Sequence, residues 1–235
     1  MIRVKFRFRE TIATILTDDP AHAAAAKDGM LSARQAIEGY IAQDPFFKST
    51  FEPYTADTDE GIIRRMCNAS RKAGVGPMAA VAGAIAEAGI GAMIEAGAQF
   101  GVIDNGGDIA LICDRNVRIG IHAGDAPLSN RIAFVIPPQK QILGVCTSSA
   151  TVGPSISLGV ADAATIFSRN VALADAWATT ICNQIRPDDH TVLEGVDDGV
   201  CGIFAIMGDT TVRWGRLPPL VSAVVDEQLI SAGDR

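Results

Sequence analysis

A chain of 235 residues is long enough for one large domain or two small ones and should bury roughly 70% of its unfolded surface. Its 48% hydrophobic and 20% charged residues are those of a folded globular protein and exclude a disordered chain. The net charge of −7, from 27 acidic against 20 basic residues, supplies no field that attracts DNA or RNA, so any bound anion must be held locally.

The chain opens with "IRVKFRFR", in which Ile2, Val4, Phe6 and Phe8 alternate with Arg3, Lys5, Arg7 and Arg9. That period of two predicts a half-buried strand with one basic face, either solvated at a sheet edge or in contact with an anion. "TIATILTDD" is a second strand, close enough to the first for a hairpin. Asp19 followed by Pro20 starts a helix of about six turns towards Gln43, which Gly29 is expected to weaken or divide. Phe46, Phe47 and Phe51 are expected as core anchors in the following loop. A second helix should be capped by Asp57 or Thr58, carry acids in its first turn and Arg71 and Lys72 in its last, and stop at Gly74.

A third helix begins at Pro77 and is rich in Ala and Gly, so that another backbone or a ligand can approach closely. Glu87 interrupts its apolar run too early for a membrane span, and the first thirty residues lack a signal-type apolar core, so a cytoplasmic protein is expected. From residue 100 short apolar runs alternate with Gly, Asp and Pro breaks, the pattern of a mainly antiparallel sheet. One more helix, "NVALADAWATTICNQI", and a hairpin around Gly208-Asp209 complete the reading. No composition break marks a linker, and residues 1–235 are expected to form one α+β domain.

The five cysteines have irregular spacing without a C-x-x-C pair, which suits a reducing compartment and suggests neither zinc nor a thioredoxin-type site. The three histidines lie in unrelated contexts, which disfavours a His-based site.

Three stretches carry residues suited to ligand chemistry. In "GVIDNGGDIALI" Asn105-Gly106 signals a tight turn; that turn explains one glycine, whereas Gly107 with Asp108 and Asn105 offers bare amides and side-chain partners to a ribose, a base edge or a metal-bound water. In "TSSATVGPSIS" the hydroxyls of Thr147, Ser148, Ser149, Thr151, Ser155 and Ser157 either solvate a turn or donate to phosphate oxygens. On the last helix Asp175 and Thr179 are four residues apart, so their oxygens stack on one face and suit Mg²⁺. The alternative is a dipole-favouring Asp and a Thr bonded to the i−4 carbonyl. The flanking alanines, Ala172, Ala174, Ala176 and Ala178, are read as leaving room for a ligand. Asp162 is expected to cap or pair within the fold.

Taken together, "AGVGPMAAVAGAIAEA", "VIDNGGDIAL", "GVCTSSATVG" and "ALADAWAT" resemble the ApbE family of flavin transferases over about residues 73 to 182. The chain is more similar still to an uncharacterised bacterial and archaeal family of ApbE-like proteins, whose pattern includes "IEGYIAQDPFF" and covers nearly the whole length. The resemblance implies an ApbE-like, T-fold-related α+β architecture with a mainly antiparallel sheet flanked by helices. It also implies FAD with Mg²⁺ at the pyrophosphate, and transfer of FMN to an acceptor protein. The family's A-D-A-x-x-T helix places the metal ligands at Asp175 and Thr179, and its Gly-Gly-Asp and Thr-Ser segments place cofactor contacts at Asn105, Gly106, Gly107, Asp108, Thr147, Ser148 and Ser149.

Two family signatures are missing. Pro77, Met78 and Ala79 stand where the transferases carry Lys-Gly, and "GPSISLGVADAAT" lacks their His-Ile-x-Asp-Pro pattern. Two readings therefore stand side by side: a Mg²⁺-dependent enzyme that transfers or hydrolyses at the pyrophosphate, and a non-catalytic nucleotide-binding or interaction module. A third is a structural subunit that forms a homo-oligomer through its Ala/Gly-rich helix. Nucleic acid and membrane are not expected partners.

Overall fold

The structure is a computed structural model that describes residues 1–151 and 159–225. Its centre is an eight-stranded sheet in the order β1-β2-β3-β4-β7-β8-β9-β10, every neighbouring pair antiparallel. The strands are β1 (Ile2–Phe8), β2 (Thr11–Thr17), β3 (Gly101–Asn105), β4 (Asp108–Cys113), β7 (Gln139–Ser148), β8 (Ala163–Ser168), β9 (Val200–Met207) and β10 (Thr210–Gly215). A smaller sheet, in the order β11-β6-β5, contains β5 (Val117–Gly120), β6 (Ile132–Ile136) and β11 (Leu220–Ser222). The fold is thus α+β, as expected.

β1 alternates half-buried and exposed residues along its length and forms one edge of the sheet, with Arg3, Lys5 and Arg7 outward. That basic face suits an edge strand, because charge there discourages pairing with another chain. The β9–β10 turn falls at Gly208-Asp209, between the partners Met207 and Thr210, as its sequence requires. Asp162 accepts from the Gly208 amide at 2.7 Å and from the Thr151 hydroxyl at 3.3 Å, and so pairs within the fold.

The helices are α1 (Pro20–Gln43), the short α2 (Phe46–Ser49), α3 (Gly61–Ala73), α4 (Val81–Glu95) and α5 (Val171–Gln184); a 3-10 turn, Pro77–Ala80, leads into α4, and another covers Thr191–Gly195. Asp19 caps α1 by accepting from the Ala21 amide at 2.8 Å. Gly29 does not divide this helix. It marks a close approach of α1 to α4, where a Cβ would lie 2.8 Å from the Ala92 Cβ. α3 begins at Gly61, later than Asp57 or Thr58, because the Thr58 hydroxyl accepts from the Glu60 amide and closes a local turn ahead of the helix. Of the three phenylalanines between α1 and α3, only Phe47 is a core anchor; Phe46 and Phe51 are exposed.

The two faces of the large sheet have different covers. One carries the helices: α4 and α5 lie on the strands, α1 packs over α4 and α3 over α5. Here alanines and glycines let helices and sheet come close, with Ile15, Met30, Ile85, Ile90, Ile103 and Ile166 filling the gaps. The other face packs on the small sheet through Phe134, whose ring meets Phe167 at 4.9 Å and Phe204 at 5.6 Å, both edge-on. The stretch Pro77–Glu95 is apolar and long enough to cross a membrane by length and composition, despite Glu87; half of it is buried in the fold.

Candidate functional site

The meander brings the β3–β4 turn, the start of α4 and the first half of α5 together at one end of the strands. Asn105 and Asp108 face each other across the turn, with Gly106 and Gly107 between them at φ 70° and 102°. Both central residues have positive φ, the condition of a two-residue type I′ turn, so turn geometry accounts for both glycines and not only the first, although asparagine also suits the Gly106 position. The Asp104 carboxylate accepts from the Gly107 amide at 2.9 Å and tightens the corner.

Register decides which side chains meet. Asp108 pairs with Asn105 on one side and Cys146 on the other, so all three project towards the helices. Asn105 is buried and donates to the Ala82 carbonyl at 3.0 Å, which ties the turn to the first turn of α4. Asp175 reaches the same helix end from α5, where its carboxylate accepts from the Gly83 amide at 2.8 Å. Only a glycine fits there, since a Cβ on residue 83 would lie 2.7 Å from the Val171 carbonyl oxygen and 2.8 Å from the Asp175 Cβ.

Burial drives the electrostatics. Asp175 is 7% exposed, and loss of water pushes its carboxyl up to about 7, against the stabilising hydrogen bonds from the Gly83 and Ala82 backbone. Asp108 is raised well above the usual carboxylate range, first by burial and then by the neighbouring Asp175 and Asp104. The Cys146 thiol is pushed up by burial and by these same two carboxylates, Asp108 and Asp175. Among the described residues neither Asp108 nor Asp175 has a basic partner.

Thr179 lies one turn beyond Asp175 and is half-buried; the back bond to an i−4 carbonyl is made by Thr180, to Ala176, with a shorter bond to the Ala73 carbonyl. The alanines of α5 do not leave room for a ligand. Ala172, Ala174, Ala176 and Ala178 are fully buried, because the helix is enclosed by the sheet, α3 and α4, and their small size serves that packing. Near the pair, Thr179 is half-buried and Gly106 of the β3–β4 turn is exposed.

The Thr-Ser stretch divides by alternation. Ser148 shares the helix face with Cys146, whereas Thr147 points to the opposite face and bonds Thr165, oxygen to oxygen, at 2.9 Å. Ser149, just past the strand, bonds Thr151 at 3.4 Å. Ser155 and Ser157 lie outside the described residues. The Thr147 amide donates to the Gly107 carbonyl at 3.2 Å, so this loop and the glycine turn are joined through backbone.

Two residues escaped the sequence reading. Gly83 is hidden among many glycines, and only its contact with Asp175 singles it out. Glu87 was noted only as a break in hydrophobicity. It binds the Val171 amide at 3.1 Å and Arg65 at 3.1 Å, and a lone carboxylate in an Ala/Gly helix is the signal that could have marked it. A cavity of about 510 Å³ flanks Glu87 and Arg65 between α1, α3 and α4; Asn105, Asp108 and Asp175 do not line it. Among the described residues no group of three or more His, Cys, Asp or Glu is arranged to hold a metal.

Similarity to known proteins follows the same lines. A family model described as "AbpE bacteria" matches residues 3–196. The chain is 67% identical to a UPF0280 protein of Methanoregula boonei, with all of both chains covered, and 59% identical to one of Methanosphaerula palustris over 100% of this chain and 99% of the other. Among solved structures it resembles the apo flavinyl transferase ApbE of Pseudomonas stutzeri, with a TM-score of 0.57, 14% identity and coverage of 99% and 97%. A variant of the flavin transferase ApbE from Vibrio cholerae gives 0.52 at 11% identity, with coverage of 94% and 97%. At such low identity these two matches speak for the fold, while the close relatives and the family model fix the kinship: this chain belongs to the UPF0280 family of ApbE-like proteins.

Proposed function

We propose that the chain is a single ApbE-like domain that binds FAD or a related dinucleotide at the glycine corner, with Mg²⁺ at the pyrophosphate. The observation that carries this reading is the pair of helix-facing carboxylates, Asp108 on β4 and Asp175 on α5, without a basic partner among the described residues, with Thr179 one helical turn beyond Asp175. Burying like charges together is unfavourable unless a proton or a cation relieves them. The donors are all oxygen, which suits a hard cation, and Mg²⁺ typically takes one or two carboxylates and completes its shell with water and phosphate.

In this reading Asp175 and Thr179 hold the ion, which supplies Lewis-acid stabilisation of charge on the phosphates. Asp175 is itself fixed by the Gly83 amide, so its position is set before any ligand arrives. In this reading the Asn105, Gly106, Gly107 and Asp108 turn forms one wall, and Ser148, at the end of β7 on the same face as Cys146, donates to phosphate. In this reading Thr147, whose amide is held by the Gly107 carbonyl, and Ser149 border the ligand beside that turn.

The reaction expected is transfer of FMN to an acceptor protein or hydrolysis to FMN and AMP. A second reading, binding without turnover, is favoured by Pro77, Met78 and Ala79 in place of Lys-Gly and by the missing His-Ile-x-Asp-Pro pattern. Five free cysteines, four of them buried, support a cytoplasmic location.

Purified protein incubated with FAD and Mg²⁺ separates these readings. Release of AMP or FMN supports the enzyme, and saturable Mg²⁺-dependent binding without products supports the module. Under both, Asp175→Ala removes the Mg²⁺ dependence of binding. Absence of binding and turnover across FAD, FMN, NAD and ADP overturns the nucleotide assignment.

A further inference from the structure

On the opposite face of the large sheet, where β10 and β11 diverge, lies a cavity of about 340 Å³. Its floor is Phe134 and Phe204, each 1% exposed, and its walls include Leu217, Pro219 and Leu220. Arg213, paired with Phe204 across β9–β10, places its guanidinium 5.6 Å from the Phe204 ring centroid. Among the described residues it is the one charged residue in the lining of this cavity, and it makes no ion pair.

The connector from β10 to β11 holds this gap open. The Arg216 amide donates to the Cys201 carbonyl at 2.7 Å, and the Val135 amide donates to the Pro219 carbonyl at 2.8 Å, which pins both ends. Residue 202 has to be glycine, because a Cβ there would lie 2.4 Å from the Arg216 carbonyl oxygen. Pro218 and Pro219, the second of them itself a pin, have fixed φ and no amide hydrogen to give, which stiffens the segment and keeps it from coiling into a helix. A recess lined by Phe, Leu and Pro residues is thereby kept, and among the described residues Arg213 is the one charged side chain that lines it.

We propose that this recess is a second ligand site, separate from the glycine corner, and that it takes a small aromatic carboxylic acid. The ring would lie against Leu217, Pro218 and Leu220, above the covered rings of Phe134 and Phe204, and the carboxylate would meet the guanidinium of Arg213. The volume lies at the small end of the range for ligand cavities, which matches a single ring with a short acid arm. A cation stacked on an aromatic face is only partly hydrated and presents its fork outward, a geometry that pairs with a carboxylate in two parallel hydrogen bonds.

Titration of the full chain with 3-phenylpropionate and with 3-phenylpropanamide, followed by ligand-observed NMR and calorimetry, tests the site. The acid should bind saturably and the amide about tenfold more weakly. Arg213→Gln should erase that preference, and Arg213→Lys should keep part of it. A surface arginine of this kind is replaceable without loss of fold, and circular dichroism verifies that. Equal binding of acid and amide, acid binding unchanged in Arg213→Gln, or no saturable binding of the acid up to ~10 mM would each overturn the proposal.

Discussion

The Asp175 carboxylate accepts a hydrogen bond from the Gly83 amide, so a side chain from the first half of α5 satisfies the N-terminal turn of α4. The favour is returned one turn along, where Glu87 of α4 accepts from the Val171 amide at the start of α5. The two helices run antiparallel with their beginnings overlapped, and each supplies the anion that the other's free amides and dipole attract. The reciprocal contact joins the two halves of the sheet, since α4 leads into β3 and α5 into β9. It also sets the position of the carboxylate proposed to hold Mg²⁺.

Gly83→Ala tests how tightly that geometry is required. The added methyl would meet a carbonyl oxygen and the base of the Asp175 side chain, neither of which swings away as a flexible tip would. The helices must separate, which is expected to cost about 1–3 kcal/mol in urea unfolding. Mg²⁺-dependent FAD binding should weaken more than stability alone explains, because Asp175 loses its amide partner. Unchanged binding in a destabilised but folded variant would detach Gly83 from the site.

The raised carboxyl of Asp175 gives a pH dependence with a definite sign. Its pKa of about 7 in the folded state stands above the 3.8 of an unperturbed aspartate, so between these values the folded chain keeps a proton that the unfolded chain has released. Stability is therefore full below about pH 4, declines as pH rises to about 7, and levels off above, an effect on the order of 2–4 kcal/mol. Asp108 acts in the same sense. Asp189, held low by the Thr191 amide and hydroxyl, acts in the opposite sense at lower pH. Asp175→Asn should flatten much of the decline between pH 5 and 7.5. Added Mg²⁺ should raise the Tm of the natural chain at pH 7.5 and leave it unchanged at pH 5, where a proton competes for the same oxygen.

How far the sequence carries is clear from particular residues. Strand alternation in Ile2 to Phe8, the Asp19-Pro20 start and the Gly208-Asp209 turn are local signals, and each appears in the structure where local chemistry puts it. Asp175 and Thr179 lie on one helical face by periodicity alone. The roles of Gly83 and Glu87 depend on a helix ninety residues away, so no local pattern encodes them. The alanines of α5 are ambiguous for the same reason, because small residues signal close approach without saying by what, and here it is the protein's own helices and sheet that approach.

Glu87→Ala should be costly even though no candidate ligand contact involves it. The change leaves the Val171 amide without its acceptor and Arg65 without its counter-ion. Losing an acceptor for a partly buried amide typically costs about 1–3 kcal/mol, while the half-exposed arginine adds little. Glu87→Gln, which can still accept from Val171, should recover most of the loss in thermal unfolding. If Gln behaves like Ala, the ion pair with Arg65 is the main contribution.

The glycine corner allows turn and ligand demands to be separated. Gly106 has φ 70° and is exposed, a conformation that asparagine tolerates, so Gly106→Asn should change stability by less than ~0.5 kcal/mol. Gly107 has φ 102°, which L-residues rarely adopt, and Gly107→Ala should cost about 1–2 kcal/mol through the backbone, since its Cβ would be no closer than 3.5 Å to the Thr147 carbonyl. If the bare turn is a wall of the nucleotide site, the fully folded Gly106→Asn protein should bind FAD more weakly, because its side chain occupies the approach. Binding equal to that of the natural chain would leave both glycines explained by the type I′ turn and move the ligand to the Thr179 side of Asp175.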